Sequence, residues 1–144
     1  MKTARQLLLE KTRPGIFSVR PDATVYQALQ IMAEKDIGAV LVMDEDRLVG
    51  IFSERDYARK VVLQGKTSAG TPIADIMTKR VVFAKPNQSV DECMAVMSEK
   101  RFRHLPVLDD DNKVIGVLSI TDLVRETIAE QQFLIEQLEN YIMH

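Results

Sequence analysis

The sequence predicts an α/β (α+β) fold of two pseudo-symmetric β-α-β-β-α motifs packed through their sheets, with helices at the N- and C-terminal ends. Three observations carry that expectation. The chain is written twice, each copy alternates short apolar runs with helical periods, and no low-complexity segment separates the copies. Pro21 to Asp46 matches Pro86 to Asp111 at a shift of 65 residues, and Gly50 to Arg59 matches Gly116 to Arg125 at a shift of 66. Identities run in order through Val25/Val90, Met32/Met97, Glu34/Glu99, Val42/Val107, Gly50/Gly116, Ser53/Ser119 and Asp56/Asp122. The extra residue falls in a polar turn, DEDR in the first copy and DDDNK in the second, where an insertion perturbs least.

Each copy begins with a short strand, IFSV at 16–19 or VVFA at 81–84, followed by a proline-marked turn. A capping box comes next, Thr24-x-x-Gln27 or Ser89-x-x-Glu92, whose side chains satisfy free N–H groups at a helix start. That helix buries Val25, Leu29 and Met32, or Val90, Met94 and Met97. Two apolar runs separated by the acidic turn follow, AVLVM and LVGIF, or HLPVL and VIGVL. They are continuous rather than alternating, which suits strands covered by helices on one face and by the second copy on the other. Ser-x-x-Asp then opens a second helical stretch. Between the copies, Thr71-Pro72 predicts an N-cap and first helical residue opening IADIMT. The expected organisation is one module over 1–144. The first motif spans 14–70 with its preceding strand and connecting helix, the second spans 71–127, and a C-terminal helix covers 123–144.

With 46% apolar and 28% charged residues, the chain can build a core without disulfides or structural metal. The one cysteine, Cys93, lies in a helical pattern between Glu92 and Met94, which excludes an internal disulfide and predicts a small buried residue. Met32, Met43, Met77, Met94 and Met97 also fall at core-like positions. The segment MKTARQLLLEKTR has only a three-leucine run, too short for a signal peptide or membrane span. The expected location is therefore cytoplasmic, with no membrane partner. A formal charge of -2 supplies no broad basic field, so nucleic acid is not an expected partner. Nowhere does the sequence carry a Gly-x-Ser-x-Gly elbow, a P-loop, an HExxH or neighbouring Cys and His, so no catalysis and no catalytic cofactor are expected. Asp109-Asp110-Asp111-Asn112 superficially matches a calcium loop, but its sixth position is Val114 rather than Gly and its twelfth is Ile120 rather than Glu. It reads as a solvated turn, and no metal site is expected.

GIFSERD at Gly50 to Asp56, GVLSITD at Gly116 to Asp122, DIMT at Asp75 to Thr78 and RHLPV at Arg103 to Val107, taken in that set, resemble the tandem CBS (Bateman) family over nearly all of residues 14 to 127. The resemblance implies a pseudo-symmetric pair of motifs with clefts between their sheets. It also implies a regulatory adenine ligand: AMP, ADP or ATP, with NAD or S-adenosylmethionine as further members of the class. Thr78, in the DIMT string, joins the expected ligand set.

The same residues have a physical rationale. Ser53 and Ser119 stand where a strand ends and a helix starts, beside free backbone N–H groups where a phosphate can dock. Asp56 and Asp122 would repel phosphate, but a carboxylate can accept hydrogen bonds from the vicinal hydroxyls of a ribose. Ile37, Gly38 and Ala39, and Leu105 and Pro106 in the second copy, can line an adenine slot. Arg55, Arg103 and His104 are candidate phosphate partners. The plainer reading of Ser-x-x-Asp is a helix cap, and that of His104 is a strand residue bonded to backbone. The copies also differ: Thr121 stands opposite Arg55, and Arg103-His104 opposite Gly38-Ala39, which predicts two unequal sites.

The stretch Leu123 to Met143 carries Val124, Ile128, Ile135, Leu138 and Ile142 on a 4-then-3 seam interrupted by Gln131. Packing over its own module and contact with a second copy both fit that seam; a homodimer is the expected assembly. The mechanism expected is a population shift, in which nucleotide stabilises one arrangement of the copies and an unidentified regulated protein reads it. The competing class is a structural scaffold that dimerises and takes no small molecule. His144 is expected to be disordered.

Overall fold

The computed structural model describes residues 2–11 and 15–143; His144 and the start of the expected first motif at residue 14 lie outside them. The chain divides into two compact units. One comprises Gly15–Val82 with Asp111–Val114 and holds the first motif. The other comprises the described residues within Met1–Pro14, Phe83–Asp110 and Ile115–His144, and holds the second.

In the unit of the first motif, β1 (Ser18–Val19) runs parallel to β2 (Ala39–Asp44), which pairs antiparallel with β3 (Arg47–Ser53). Helix α2 (Val25–Lys35) connects β1 to β2, and α3 (Glu54–Asp56) follows β3 and continues as a π-helical turn, Tyr57–Val62. The expected capping box forms: Gln27 N–H donates to Thr24 Oγ1 at 3.1 Å, and Thr24 N–H to Gln27 Oε1 at 2.9 Å. The helix ends on Asp36 in the left-handed conformation, φ 54°. Its buried stripe is Val25, Ala28 and Met32, with the expected Leu29 at the margin. Those residues pack with Val40, Val42, Phe52, Val61, Ile73 and Ile76 into one core. Burying a side chain such as Phe52 or Ile73 fully is worth about 1.5–3 kcal/mol.

The second motif repeats the plan with α4 (Val90–Lys100), β4 (His104–Leu108), β5 (Val114–Ser119) and α5 (Ile120–Met143), preceded in the chain by α1 (Ala4–Glu10). Helix α4 has the expected Ser89/Glu92 box, buries Val90, Cys93 and Met97, and ends on Arg101 in the left-handed region, φ 59°. Cys93 is a core residue, and burial pushes its thiol pKa up. Its counterpart in α2 is Ala28. The expected strand VVFA shrinks to a single parallel bridge, Ala84 to Val107. The cause lies across the ladder. In the first motif Leu41 N–H donates to Phe17 O at 3.1 Å, but the residue equivalent to Leu41 is Pro106, which has no N–H to donate to the carbonyl of Val82.

The connection between the motifs also departs from expectation. A 3-10 turn, Ile73–Asp75, replaces the α-helical start, and Pro72 precedes it in extended conformation with no side-chain cap. Thr71 is not the cap: its hydroxyl donates back to Thr67 O at 2.7 Å. The short turn leaves the following backbone free to run along β3, where Ile51 and Thr78 exchange hydrogen bonds of 3.0 and 2.9 Å.

A third repeat emerges in the backbone. Val25, Ile73 and Ala74 donate to the carbonyls of Thr71, Ala23 and Pro21, while Val90, Ala4 and Arg5 donate to those of Lys2, Gln88 and Pro86. The segment beginning at Lys2 therefore does for the second motif what the segment beginning at Thr71 does for the first. Gly50 lies under Met77 and Gly116 under Leu8, so even the side-chain seats correspond. Helix α1 has its own capping box, Thr3/Gln6. No helix among the described residues is long and apolar enough to cross a membrane.

Candidate functional site

Each motif places one candidate site at its strand-to-helix junction. In the first, Ser53 has extended backbone, φ -124° and ψ 167°, and caps α3. Asp56 N–H donates to Ser53 Oγ at 3.3 Å, while Ser53 N–H and Oγ–H donate to Asp56 Oδ2 at 3.0 and 3.2 Å. Thr78 reaches the same carboxylate from the segment along β3, its hydroxyl donating to Oδ1 at 3.1 Å. Lys60, one turn along the helix, sets its ammonium 3.1 Å from Oδ1. That ammonium also donates to Ile76 O at 3.2 Å and to Thr78 Oγ1 at 3.4 Å. Asp56 is only 8% exposed. A buried carboxylate demands such partners, since an uncompensated one would cost several kcal/mol, on the order of the desolvation of a single ion.

Beside this junction lie the loop residues Ile37 and Gly38 and the first residue of β2, Ala39, all half-buried. Glu54 N–H donates to Gly38 O at 3.1 Å, fastening the loop to the first turn of α3. Arg55, second in that helix, is exposed.

The second site has the same frame. Ser119 N–H donates to Asp122 Oδ2 at 2.8 Å, Asp122 N–H to Ser119 Oγ at 3.1 Å, and Ile120 N–H to Arg103 O at 2.8 Å. Its ammonium comes from elsewhere. Lys11, just after α1, stands 3.0 Å from Asp122 Oδ2 and donates to Val117 O at 2.8 Å. The helix position matching Lys60 is Glu126, bound to Lys2 at 3.2 Å. Burial alone would raise the pKa of Asp122, but the Ser119 N–H and the Lys11 ammonium outweigh it and hold the carboxyl below its ordinary value. His104 is held below its ordinary value by burial and by Lys11, with Asp122 opposing and Arg103 adding to the effect. Its ring is thus mostly neutral at pH 7, offering an imidazole N–H rather than a charge. Arg103 and Thr121 are exposed; Leu105 and Pro106 are buried, Leu105 at 1%.

The structure thus gathers Ser53, Asp56, Thr78 and the Gly38 backbone in one place, and Ser119, Asp122, His104 and the Arg103 backbone in another. Of the two readings of Ser-x-x-Asp, the capping role is realised at each copy. The sequence reading missed both lysines. Lys60 carried a local signal, its i,i+4 spacing from Asp56; Lys11 carried none, being distant from Asp122 in the chain. Among the described residues no cluster of three His, Cys, Asp or Glu side chains could hold a metal ion.

A β-α-β-β-α motif and a second that keeps the α-β-β-α part of the plan, each with a Ser-x-x-Asp junction, define a tandem-motif module. The CBS domain model matches residues 6–63 and 73–128, and the chain belongs to that family. A CBS domain-containing protein of Arabidopsis thaliana, CBSX3, mitochondrial by name, is 37% identical over 126 residues, covering 84% of this chain and 61% of its own length. This chain therefore spans about three fifths of that relative. The inosine-5′-monophosphate dehydrogenase of Methanocaldococcus jannaschii is 35% identical over 111 residues, or 76% of this chain but 21% of that enzyme. Among solved structures, a putative signal-transduction protein with CBS domains from Burkholderia ambifaria is 51% identical with a TM-score of 0.84, covering 90% of this chain and 96% of that one. The CBS domain pair of protein MJ0100, solved with 5′-methylthioadenosine and S-adenosyl-L-methionine, is 26% identical with a TM-score of 0.78, covering 90% and 98%.

Proposed function

We propose that this chain is a regulatory module that binds an adenine nucleotide and passes the bound state to a separate regulated protein, without catalysing a reaction. The observation that carries this reading is the repeated junction. In each motif a buried or half-buried carboxylate, a capping serine and a fastened backbone loop stand together, a set suited to a ribose, a phosphate and a base edge. The two ligands of the MJ0100 pair, both adenosine compounds without phosphate, support the adenosine part of this reading. That the dehydrogenase match stops at about a fifth of the enzyme supports a non-catalytic role.

The two sites are unequal. The first has Lys60 and Thr78 on its carboxylate and an exposed Arg55 in the same helical turn; the second has Lys11, a neutral His104 and exposed Thr121 and Arg103. Thermal-shift screening against AMP, ADP, ATP, NAD and S-adenosylmethionine, followed by calorimetry, tests the proposal. The expected result is stabilisation by at least one of them, with Asp56→Asn and Asp122→Asn weakening binding to different extents. A flat response across the panel would remove the ligand reading.

The second reading, a dimerising scaffold, is favoured by one specific feature. From Ile128 onward the large apolar side chains of α5 are 50–83% exposed within the single chain, so packing over its own unit ends near Thr127, whose hydroxyl contacts Met94 Sδ at 3.1 Å. We place a second copy on that face. A protein that binds no adenine ligand yet stays dimeric would leave the scaffold as the function.

A further inference from the structure

A carboxylate offers about four lone-pair sites, and at Asp56 four donors are already in place: Ser53 N–H, Ser53 Oγ–H, Thr78 Oγ1–H and Lys60 Nζ. A ribose hydroxyl cannot reach this group until one donor leaves. The two from Ser53 are built into the helix cap and the Thr78 hydroxyl into a segment bridged to β3, whereas Lys60 sits on a flexible four-carbon stem and its side chain is 43% exposed. Lys60 is the donor that can move. Once displaced, its ammonium loses an anion and two oxygen acceptors, Ile76 O and Thr78 Oγ1. An uncharged nucleoside gives it nothing in exchange; a phosphate on the same ligand gives it a charge-assisted partner.

We propose that Lys60 is a specificity-determining latch of the first site: it occupies the carboxylate that a ribose would use, and a ligand carrying phosphate releases it by taking the ammonium. The proposal rests on the adenine-ligand reading and narrows it to phosphorylated ligands at the first motif. The second motif has no lysine at that helix position, where Glu126 stands and is engaged by Lys2; the ammonium on its carboxylate is Lys11, which comes from the N-terminal segment and is also held by Val117 O.

Calorimetry with AMP and with adenosine, on wild type, Lys60→Met and Lys60→Arg, provides the test. Wild type should prefer AMP by at least about tenfold, equivalent to 1.4 kcal/mol. Lys60→Met should lose most of that preference from both sides, with tighter adenosine and weaker AMP, while Lys60→Arg should keep it. A merely structural role would weaken both ligands together and leave the ratio alone. If Lys60→Met fails to fold, Lys60→Gln replaces it. An unchanged ratio overturns the latch while leaving the ligand reading intact; wild type binding neither compound overturns that reading and the latch with it.

Discussion

Leu8 lies directly over the α-carbon of Gly116: a Cβ added there would stand 2.5 Å from Leu8 Cδ2. In the other unit Met77 lies over Gly50 the same way, 2.5 Å from Sδ, with Thr78 O a further 3.1 Å contact. Each glycine is a seat for the segment that precedes or follows its motif. Alanine at either position must displace that segment, at about 1–3 kcal/mol for an overpacked site. Gly50→Ala should cost more than Gly116→Ala, because a backbone carbonyl cannot swing aside as a leucine tip can. Urea midpoints at constant m would show the order; a Gly50→Ala midpoint equal to wild type would contradict it.

The ion pair between Lys11 and Asp122 ties the N-terminal segment to the second site with side chains 26% and 16% exposed. Removing Lys11 strips Asp122 of its nearest cation while its burial persists. Lys11→Met should destabilise the protein by roughly 1–2 kcal/mol, between the values for exposed and for buried pairs. Lys2→Met, at the pair with Glu126, serves as the comparison and should cost less, because Lys2 is the more exposed cation. Equal costs in denaturant unfolding would mean that Asp122 draws its compensation elsewhere.

Local signals made the body of the fold legible. The Thr24/Gln27 and Ser89/Glu92 boxes, the apolar runs and the residue inserted in the second copy's turn between Asp109 and Lys113 each act within a few positions, and the structure has them where the repeat puts them. What stayed hidden depends on pairing across the chain. The lost rung at Pro106 is a property of two strands together, and the 3-10 turn at Ile73 follows from bonds to Ala23 and Pro21. The alignment of Lys2–Arg5 with Thr71–Ala74 is a likeness of hydrogen bonds rather than of residues, so no identity betrays it. At the candidate site, Ser53 and Asp56 were legible as a pair; the Thr78 and Lys60 contacts that complete the carboxylate's shell were not.

Acid should weaken the protein in two stages. Burial and Lys11 hold His104 below its ordinary value of 6.5, so the unfolded chain takes up a proton that the folded one refuses. Stability therefore falls as pH drops below about 6.5, until the folded value is reached. Asp122 has the usual carboxylate sign: its depressed folded pKa contributes stability above 3.8, lost as pH falls through the folded value. Melting temperatures from pH 8 to 3 should show both limbs. His104→Gln should flatten the upper limb and spare the lower one; a variant retaining the full slope near pH 6 would remove His104 as its cause.

Helix α5 runs 24 residues, yet Leu123 is its one buried residue. Beyond Thr127 its turns have little contact with their own unit, and the stretch 128–143 is scarcely longer than the roughly 12–15 residues below which even an Ala-rich helix is marginal in water. Ile128, Ile135 and Ile142 recur every seven residues, with Leu138 at one intervening position and Gln131 at the other, and isoleucine with leucine in those two positions favours two-stranded pairing. Placing Ile135→Glu and Leu138→Glu together on this stripe should convert a dimer to a monomer by light scattering. It should also lower the helix signal, while changing the stability of the two units by no more than about 0.5 kcal/mol, as expected for surface positions. A wild-type protein that is already monomeric at micromolar concentration, with full helicity, would mean that the stripe needs no second copy to stay folded.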